Sequence, residues 1–452
     1  MSLYNADGQI NLTVVPGTSF TGIYATDGSW NIVINDGSTN KGYYHPCGAI
    51  NAVVVTDPSS PYYASNGSVN VIANNFGSYG FLTPNGGASS AIFNLTRANT
   101  ANIRAAWNGG SGNLLLPAVG DSTLRGQSAG VGTAQAVNSW VMQLAPLLRA
   151  SSINAGANNV FADGGSWGQT QNIANFLTGD GRVAVSGATA LGPTKGPGGN
   201  AFNWAATGTL TFTPQDNCDT AIIWWRDGAT GRNFNWSVDG GSTTAVNSTN
   251  VTQLTRTTVA LGSAAAHSLA LAWVLGSITI EGIHAYNSAL GREISLLQWG
   301  ICGATSTSLN DNTDSALGRL AVIGTVKPAG VLYEGGIINS WRTSISVATT
   351  KSDMTTFVQT VRANNGDPIL VTPVFDPGST GNAAIQDQYV TAMYEVASEQ
   401  SCALFDIRKL WRSNANAVAQ GWQPNGDVHP TTAGYAYIAA AIKPVLQYAL
   451  AP

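Results

Sequence analysis

The sequence predicts an α/β protein built on a parallel sheet with helices on both faces, joined to two β-rich segments. Three observations carry that expectation. Short apolar runs alternate with stretches of helical periodicity over residues 113–178 and 291–452, a block of turn-punctuated strands interrupts them, and a short motif repeats near the amino terminus. Strands that alternate with helices imply parallel pairing, because only a crossover connection brings the next strand in with the same direction.

The elements follow in chain order. Tyr4, Gly8 and Asn11 recur as Tyr24, Gly28 and Asn31, then as Tyr44, Gly48 and Asn51, and then as Tyr63, Gly67 and Asn70. Alternating apolar residues such as Ile32-Val33-Ile34 and Val53-Val54-Val55 follow each set. Each unit reads as a turn carrying Gly and then a strand, so residues 1–112 are expected to form a β-hairpin repeat domain that buries apolar surface only by stacking. Arrays of this kind serve attachment or assembly, including homo-oligomer formation, or simply cap a chain. The residues leave those roles open.

The first part of the α/β domain is expected over residues 113–178. Leu114-Leu115-Leu116-Pro117-Ala118-Val119 is a strand, and Val137, Trp140, Leu144 and Leu148 mark a helix that Pro146 should kink or shorten. Residues 179–290 read as an inserted β-sandwich, jelly-roll-like and similar in patterning to carbohydrate-binding modules. Its strands are 202–204, 209–212, 220–225, 233–238, 268–273 and 277–280, with turns at Asp227-Gly228 and Asp239-Gly240-Gly241. Its tryptophans suit sugar stacking, but sandwich core is the destination expected for most of them. His267 and His284 have no acidic or Cys neighbour at ligand spacing and read as structural.

Residues 291–452 complete the α/β domain. Strands are expected at 294–299, 330–333, 369–374 and 402–406. Helical spacing joins Met354, Phe357, Val358 and Val361, then Ile385, Tyr389, Ala392 and Val396, and finally Tyr435, Ile438, Ile442 and Leu446. Ligands of such sheets bind at the carboxyl ends of the strands.

Composition narrows the function classes. Only 10% of residues are charged, 52 are Gly, and the formal charge of −4 supplies no basic face for nucleic acid. Cys47, Cys218, Cys302 and Cys402 lie too far apart for metal-ligand or redox spacing, so neither a disulfide framework nor a metal is expected, and no organic cofactor is implied. The opening residues Met1–Asp7 lack a charged and apolar leader, and no later run is long enough to span a bilayer. The expectation is a soluble protein, extracellular or virion-associated, that reaches its place by a route other than a Sec-type signal.

Two short motifs carry chemistry. Gly120-Asp121-Ser122 follows the apolar run 114–119, and Asp427-Val428-His429-Pro430 precedes the last helical stretch. A serine hydroxyl is too weakly acidic to attack an ester unaided, and a positioned imidazole can take its proton. His45 is the one other His outside the sandwich block, which leaves His429 as the base.

With Gly126 four residues after Ser122, and Asp and His-Pro just before the last helix, the chain resembles the GDSL-type, or SGNH, hydrolases. The resemblance covers the α/β part. It implies a flavodoxin-like three-layer α/β/α fold and a serine esterase with Ser122 as nucleophile, His429 as base and Asp427 as its orienting carboxylate. It further implies an oxyanion hole of Ser122, Gly303 and Asn339. Gly303 falls in Trp299-Gly300-Ile301-Cys302-Gly303-Ala304-Thr305, which resembles the family's Gly-x-x-Gly-x-Thr turn. Gly168, in Gly164-Gly165-Ser166-Trp167-Gly168-Gln169-Thr170, is its rival.

The chain departs from the family at three places: Ile337 for Gly, Ser340 for Asp, and Gly426 where the Asp usually stands, one residue before Asp427. A backbone carbonyl is therefore an alternative partner for His429, while Asp121 is expected to tie down the loop. The substrate class favoured is an acetylated polysaccharide. The alternatives are a lipolytic esterase or thioesterase, and an inactive glycan-binding or virion component.

Overall fold

The computed structural model describes residues 91–452 except 111, 131, 164–171, 194, 229–230, 379–382 and 452, together with the backbone of short strands between residues 22 and 89. The chain divides into two compact units, Met1–Ala98 and Asn99–Pro452. In the first, Gly22–Tyr24 pairs antiparallel with Trp30–Val33, and Gly42–Tyr44 pairs antiparallel with Ile50–Val53. The same hairpin thus recurs at the spacing of the second and third sequence repeats. The Tyr4 and Tyr63 units lie outside the described residues.

The parallel sheet of the larger unit contains β1 (Gly112–Gly120), β2 (Ala155–Gly156), β3 (Arg292–Gly300), β4 (Gly330–Tyr333), β5 (Asp367–Val371) and β6 (Ala403–Phe405) in the order β6-β5-β4-β1-β3-β2. Every one of these pairings is parallel. Strands covered on both faces read as largely apolar runs, which is why Leu114–Val119, and Ile294–Trp299 with only Ser295 and Gln298 polar, are legible without alternation. β5 stops at Val371, short of the predicted Val374. Pro373 has no N–H to give the ladder, and Thr372 Oγ1 turns to donate to Asp406 Oδ1 at 3.0 Å.

Register decides what meets at the carboxyl edge. β3 runs beside β1 from Arg292 against Gly112 to Gly300 against Gly120, so the two strands end level, and Tyr333 at the end of β4 pairs with Val119. The loops that follow all three strands therefore leave the sheet side by side. Beneath them Val331, Leu332 and Tyr333 are buried, and the Tyr333 ring stacks on Phe357 of helix Val347–Ala363 with centroids 4.0 Å apart.

Helix Trp140–Arg149 ends one turn past Pro146, and its amino end is capped by Ser139, whose side chain accepts from Met142 N. The last helix spans Thr432–Leu450 and buries Tyr435, Ile438, Ile442 and Leu446. Helix Ala101–Gly109 falls within the span expected for the repeat domain but belongs to the larger unit: Ile103 N donates to Asp367 Oδ2 at 2.8 Å.

Between β2 and β3 the chain forms two antiparallel sheets. One orders Ala190–Pro193, Asn200–Trp204, Ile278–Tyr286, Cys218–Arg226 and Leu254–Ala265, with Asn159–Phe161 also on Ile278–Tyr286. The other orders Val183–Gly187, Gly208–Phe212, Leu269–Leu275, Asn233–Val238 and Thr244–Asn247. Trp204, Trp225, Phe202, Phe212 and Phe234 form their shared core, and Trp236 and Trp273 pack against it. Most tryptophans here are core, as expected.

His284 is buried and stacked on Trp224, whose Nε1 donates to His284 Nδ1 at 2.9 Å. Desolvation pushes its pKa down to about 3, so it stays a neutral structural residue. His267 also has a structural setting, although the fold brings it a carboxylate that sequence spacing did not show: Asp239 Oδ2 lies 2.7 Å from His267 Nδ1.

Candidate active site

Ser122 follows the end of β1 after one intervening residue and opens the short helix Ser122–Arg125. The turn from strand to helix is tight, and β3 must let it pass: a Cβ added at Gly300 would meet the Arg125 backbone nitrogen at 2.7 Å, so only glycine fits there. Asp121 caps the helix, its Oδ1 accepting from Thr123 N at 2.9 Å. Asp121 thus ties down the loop, as expected, and leaves Ser122 at the carboxyl edge of the sheet.

The second motif arrives from the far end of the chain. His429 Nε2 lies 3.0 Å from Ser122 Oγ, and His429 Nδ1 lies 2.9 Å from Asp427 Oδ1. Asp427 Oδ1 also accepts from the His429 backbone N–H at 3.1 Å, so a carboxylate two residues before the histidine reaches the ring by folding back over its own turn. These bonds from His429 lower the Asp427 pKa, keeping it ionised. The alternative partner, a backbone carbonyl, is not what faces Nδ1.

Gly303 is exposed, with φ of +78°, a left-handed conformation that disfavours any side chain. Among the described residues no hydrogen bond uses the N–H of Gly303 or that of Ser122. Asn339 lies in helix Ile337–Arg342; its Nδ2 donates to Ala304 O at 3.0 Å and approaches Asp121 Oδ2 at 3.4 Å. The three residues expected to form an oxyanion hole are therefore linked through two loops. Gly168 lies outside the described residues.

The departures from the family pattern are absorbed locally. Ile337 is fully buried at the first turn of its helix. Ser340 Oγ donates to Gly336 O and accepts from Ser306 N, both at 2.9 Å, which fastens the Asn339 helix to the segment after Gly303.

A buried polar layer under the site escaped the sequence reading. Thr123 Oγ1 lies 2.8 Å from both Asp121 Oδ1 and Glu334 Oε1. A hydroxyl has one hydrogen to share between these two buried carboxyls. Burial raises the pKa of both, and that of Glu334 is pushed well up by desolvation and then by the Asp121 charge, so Glu334 is the one that holds a proton more readily. On the other side Arg125 Nη1 donates to Gln298 Oε1, Gln298 Nε2 donates back to Arg125 O at 2.9 Å, and Arg125 Nε faces Asp163 Oδ2 at 3.5 Å. Asp163 Oδ1 accepts from Cys302 N at 3.1 Å, coupling the serine turn to the Gly303 loop.

Gln423 holds the histidine loop. It is buried, and its Nε2 lies 2.7 Å from Phe375 O, 2.8 Å from Asp427 O and 3.0 Å from Val428 O. The hint in the sequence was isolated polar residues, Gln298 and Glu334, inside or at the end of apolar strands. Among the described residues no group of His, Cys, Asp and Glu could hold a metal ion, and no helix is long and apolar enough to cross a membrane. Cys218, Cys302 and Cys402 are free thiols.

The model of the GDSL-like lipase/acylhydrolase family matches residues 277–437, which include Gly303, Asn339, Asp427 and His429 and begin well after Ser122. Residues 277–437 are thus part of a GDSL-like acylhydrolase domain, and the chain is a carboxylic ester hydrolase. Among solved structures, a peptidoglycan O-acetylesterase is similar over 80% of this chain and 99% of its own, at 16% identity and a TM-score of 0.60. A family two carbohydrate esterase from Cellvibrio japonicus is similar over 64% of this chain and 98% of its own, at 12% identity and a TM-score of 0.27. The first of these likenesses is one of fold. No curated protein sequence matches the chain.

Proposed function

We propose that this ester hydrolase removes acetyl groups from a polysaccharide through an acyl-enzyme on Ser122. The observation that carries the mechanism is the two-step hydrogen-bond chain from Asp427 through His429 to Ser122, with contacts of 2.9 and 3.0 Å. His429 Nε2 takes the hydroxyl proton as Ser122 Oγ attacks the acetyl carbonyl carbon, and Asp427 steadies the imidazolium that forms. The developing oxyanion is met by the N–H groups of Ser122 and Gly303. The Asn339 amide joins them by giving up its long contact to Asp121. His429 then protonates the leaving sugar hydroxyl. Water attacks the acetyl-enzyme in a mirror-image step that frees acetate and restores Ser122.

Support for an acetylated glycan comes from the fold likeness to a peptidoglycan O-acetylesterase, which extends over more of the chain than the family-matched segment. The antiparallel sheets joined to the catalytic sheet and the sparsely charged, Asn-, Ser- and Thr-rich sequence suit a hydroxyl-rich polymer better than a free lipid. The test is acetate release from acetylated peptidoglycan and acetylated xylan, set beside hydrolysis of p-nitrophenyl octanoate. Acetate release from either polymer with poor octanoate turnover supports the reading. Preference for octanoate with no release from the polymers replaces it with a lipolytic esterase.

A further inference from the structure

At the end of the sheet opposite Ser122 the structure forms a cavity of about 280 Å3 that is open to solvent on one side. The start of β1 lines it, together with Trp107 of helix Ala101–Gly109, Arg256 of the antiparallel strand Leu254–Ala265, Arg292 at the start of β3, and Lys327 at the carboxyl cap of helix Arg319–Val326. The lining thus holds three cations, and among the described residues no carboxylate joins them. In a chain with 20 Lys and Arg against 24 Asp and Glu, such convergence runs against the bulk charge.

The cations differ in how they are held. Arg292 Nη1 donates to the Trp107 carbonyl and the guanidinium lies over the Trp107 ring, 5.2 Å from its centroid, so Arg292 is fixed in place. Arg256 and Lys327 are exposed, and among the described residues their side chains make no hydrogen bond or ion pair. Lys327 also adopts φ of +49°, a left-handed cap conformation that Gly or Asn takes with less strain. A helix carboxyl terminus accounts for one cation there, but not for three drawn into one cavity without a counter-charge.

We infer that this cavity, formed by Trp107, Arg256, Arg292 and Lys327, is a second binding site, for a sugar-sized anion bearing a carboxylate or a phosphate. Its volume lies just under the range of about 300–1,000 Å3 typical of small-molecule sites and is large for a lone inorganic ion. Guanidinium and ammonium groups converge as they do on oxyanions, and the half-buried Trp107 supplies an apolar wall beside them. The site stands apart from the ester chemistry and does not depend on how that reading fares.

The test is calorimetric titration of the full chain at low ionic strength with glucuronate, glucose 6-phosphate, glucose and inorganic phosphate, repeated with R256Q/K327Q. The first two arms separate a carboxylate from a phosphate ligand. The expected result is saturable binding of at least one sugar anion, none of glucose, and at least about a tenfold weaker affinity in the double variant, as follows from losing two charge-assisted contacts. The melting curve of the double variant should match that of the wild type, which shows that the fold is intact. Three outcomes overturn the site: no binding of either sugar anion, phosphate binding as tightly as glucose 6-phosphate, or equal affinity in R256Q/K327Q.

Discussion

His429 Nε2 and Ser122 Oγ meet at 3.0 Å although 307 positions separate them in the chain. Nothing local forces that contact. It arises because β1 ends level with β3 at the centre of the sheet, while the last helix packs back against helix Trp140–Arg149 and returns His429 to the same edge.

If Asp427 orients His429 and stabilises its charged form, removing it should cost less than removing the base. His429→Ala should lower kcat by about 10^4-fold or more, and Asp427→Ala should retain at least about tenfold more activity than His429→Ala. Steady-state kinetics on p-nitrophenyl acetate checks the order. Equal losses would mean that Asp427 is as indispensable as the base, and no loss in Asp427→Ala would remove it from the chemistry.

The oxyanion donors should act on kcat rather than on KM. Asn339→Ala is expected to lower kcat about 10^2–10^3-fold with little change in KM, the size seen when one such donor is removed. Gly303→Ala should also be impaired, because alanine at φ of +78° costs roughly 1–2 kcal/mol and pulls the N–H off its line. The split between kcat and KM in these two variants is the readout, and an effect confined to KM would place both residues in ground-state binding.

Glu334 gives a stability prediction with a definite sign. Burial raises its folded pKa well above the ordinary glutamic value, so the contribution of its neutral form is fully present below that ordinary value. The contribution is lost as pH rises through the raised folded value. The wild type should therefore lose thermal stability from mildly acidic toward alkaline pH, and Glu334→Gln, which cannot ionise, should lose less. Parallel melting curves for the two proteins across that range would refute the protonated assignment.

Gln423 is predicted to matter through the loop it holds. Gln423→Ala leaves the carbonyls of Phe375, Asp427 and Val428 without their buried donor, a loss of about 1–3 kcal/mol in stability. Because two of those carbonyls belong to the two residues just before His429, kcat should fall more than the melting temperature alone explains. Denaturant unfolding together with kinetics well below the melting point separates the two effects.

The sheet was legible in the sequence because β1, β3 and β4 are covered on both faces and read as apolar runs. The reactive pair was legible because the chain has only four His and one Gly-Asp-Ser turn placed after such a run. The one-residue shift of Asp427 looked like a defect in a linear motif. In space it is a carboxylate folding back to the N–H and ring of His429. The layer of Thr123, Glu334, Arg125, Gln298 and Asp163 left no periodic trace, since its partners pair across separate strands. Helix Ala101–Gly109 was missed for a related reason: it buries only Ile103, and Thr100 caps it without a side-chain bond.

The role of Ser122 is tested by hydrolysis of p-nitrophenyl acetate, butyrate and octanoate by the wild type and by Ser122→Ala under identical conditions. Turnover by the wild type should be highest on acetate, fall with chain length, and drop at least about 10^3-fold in the variant. Equal turnover by the two proteins on acetate would contradict that role, because the ester chemistry would then run without Ser122.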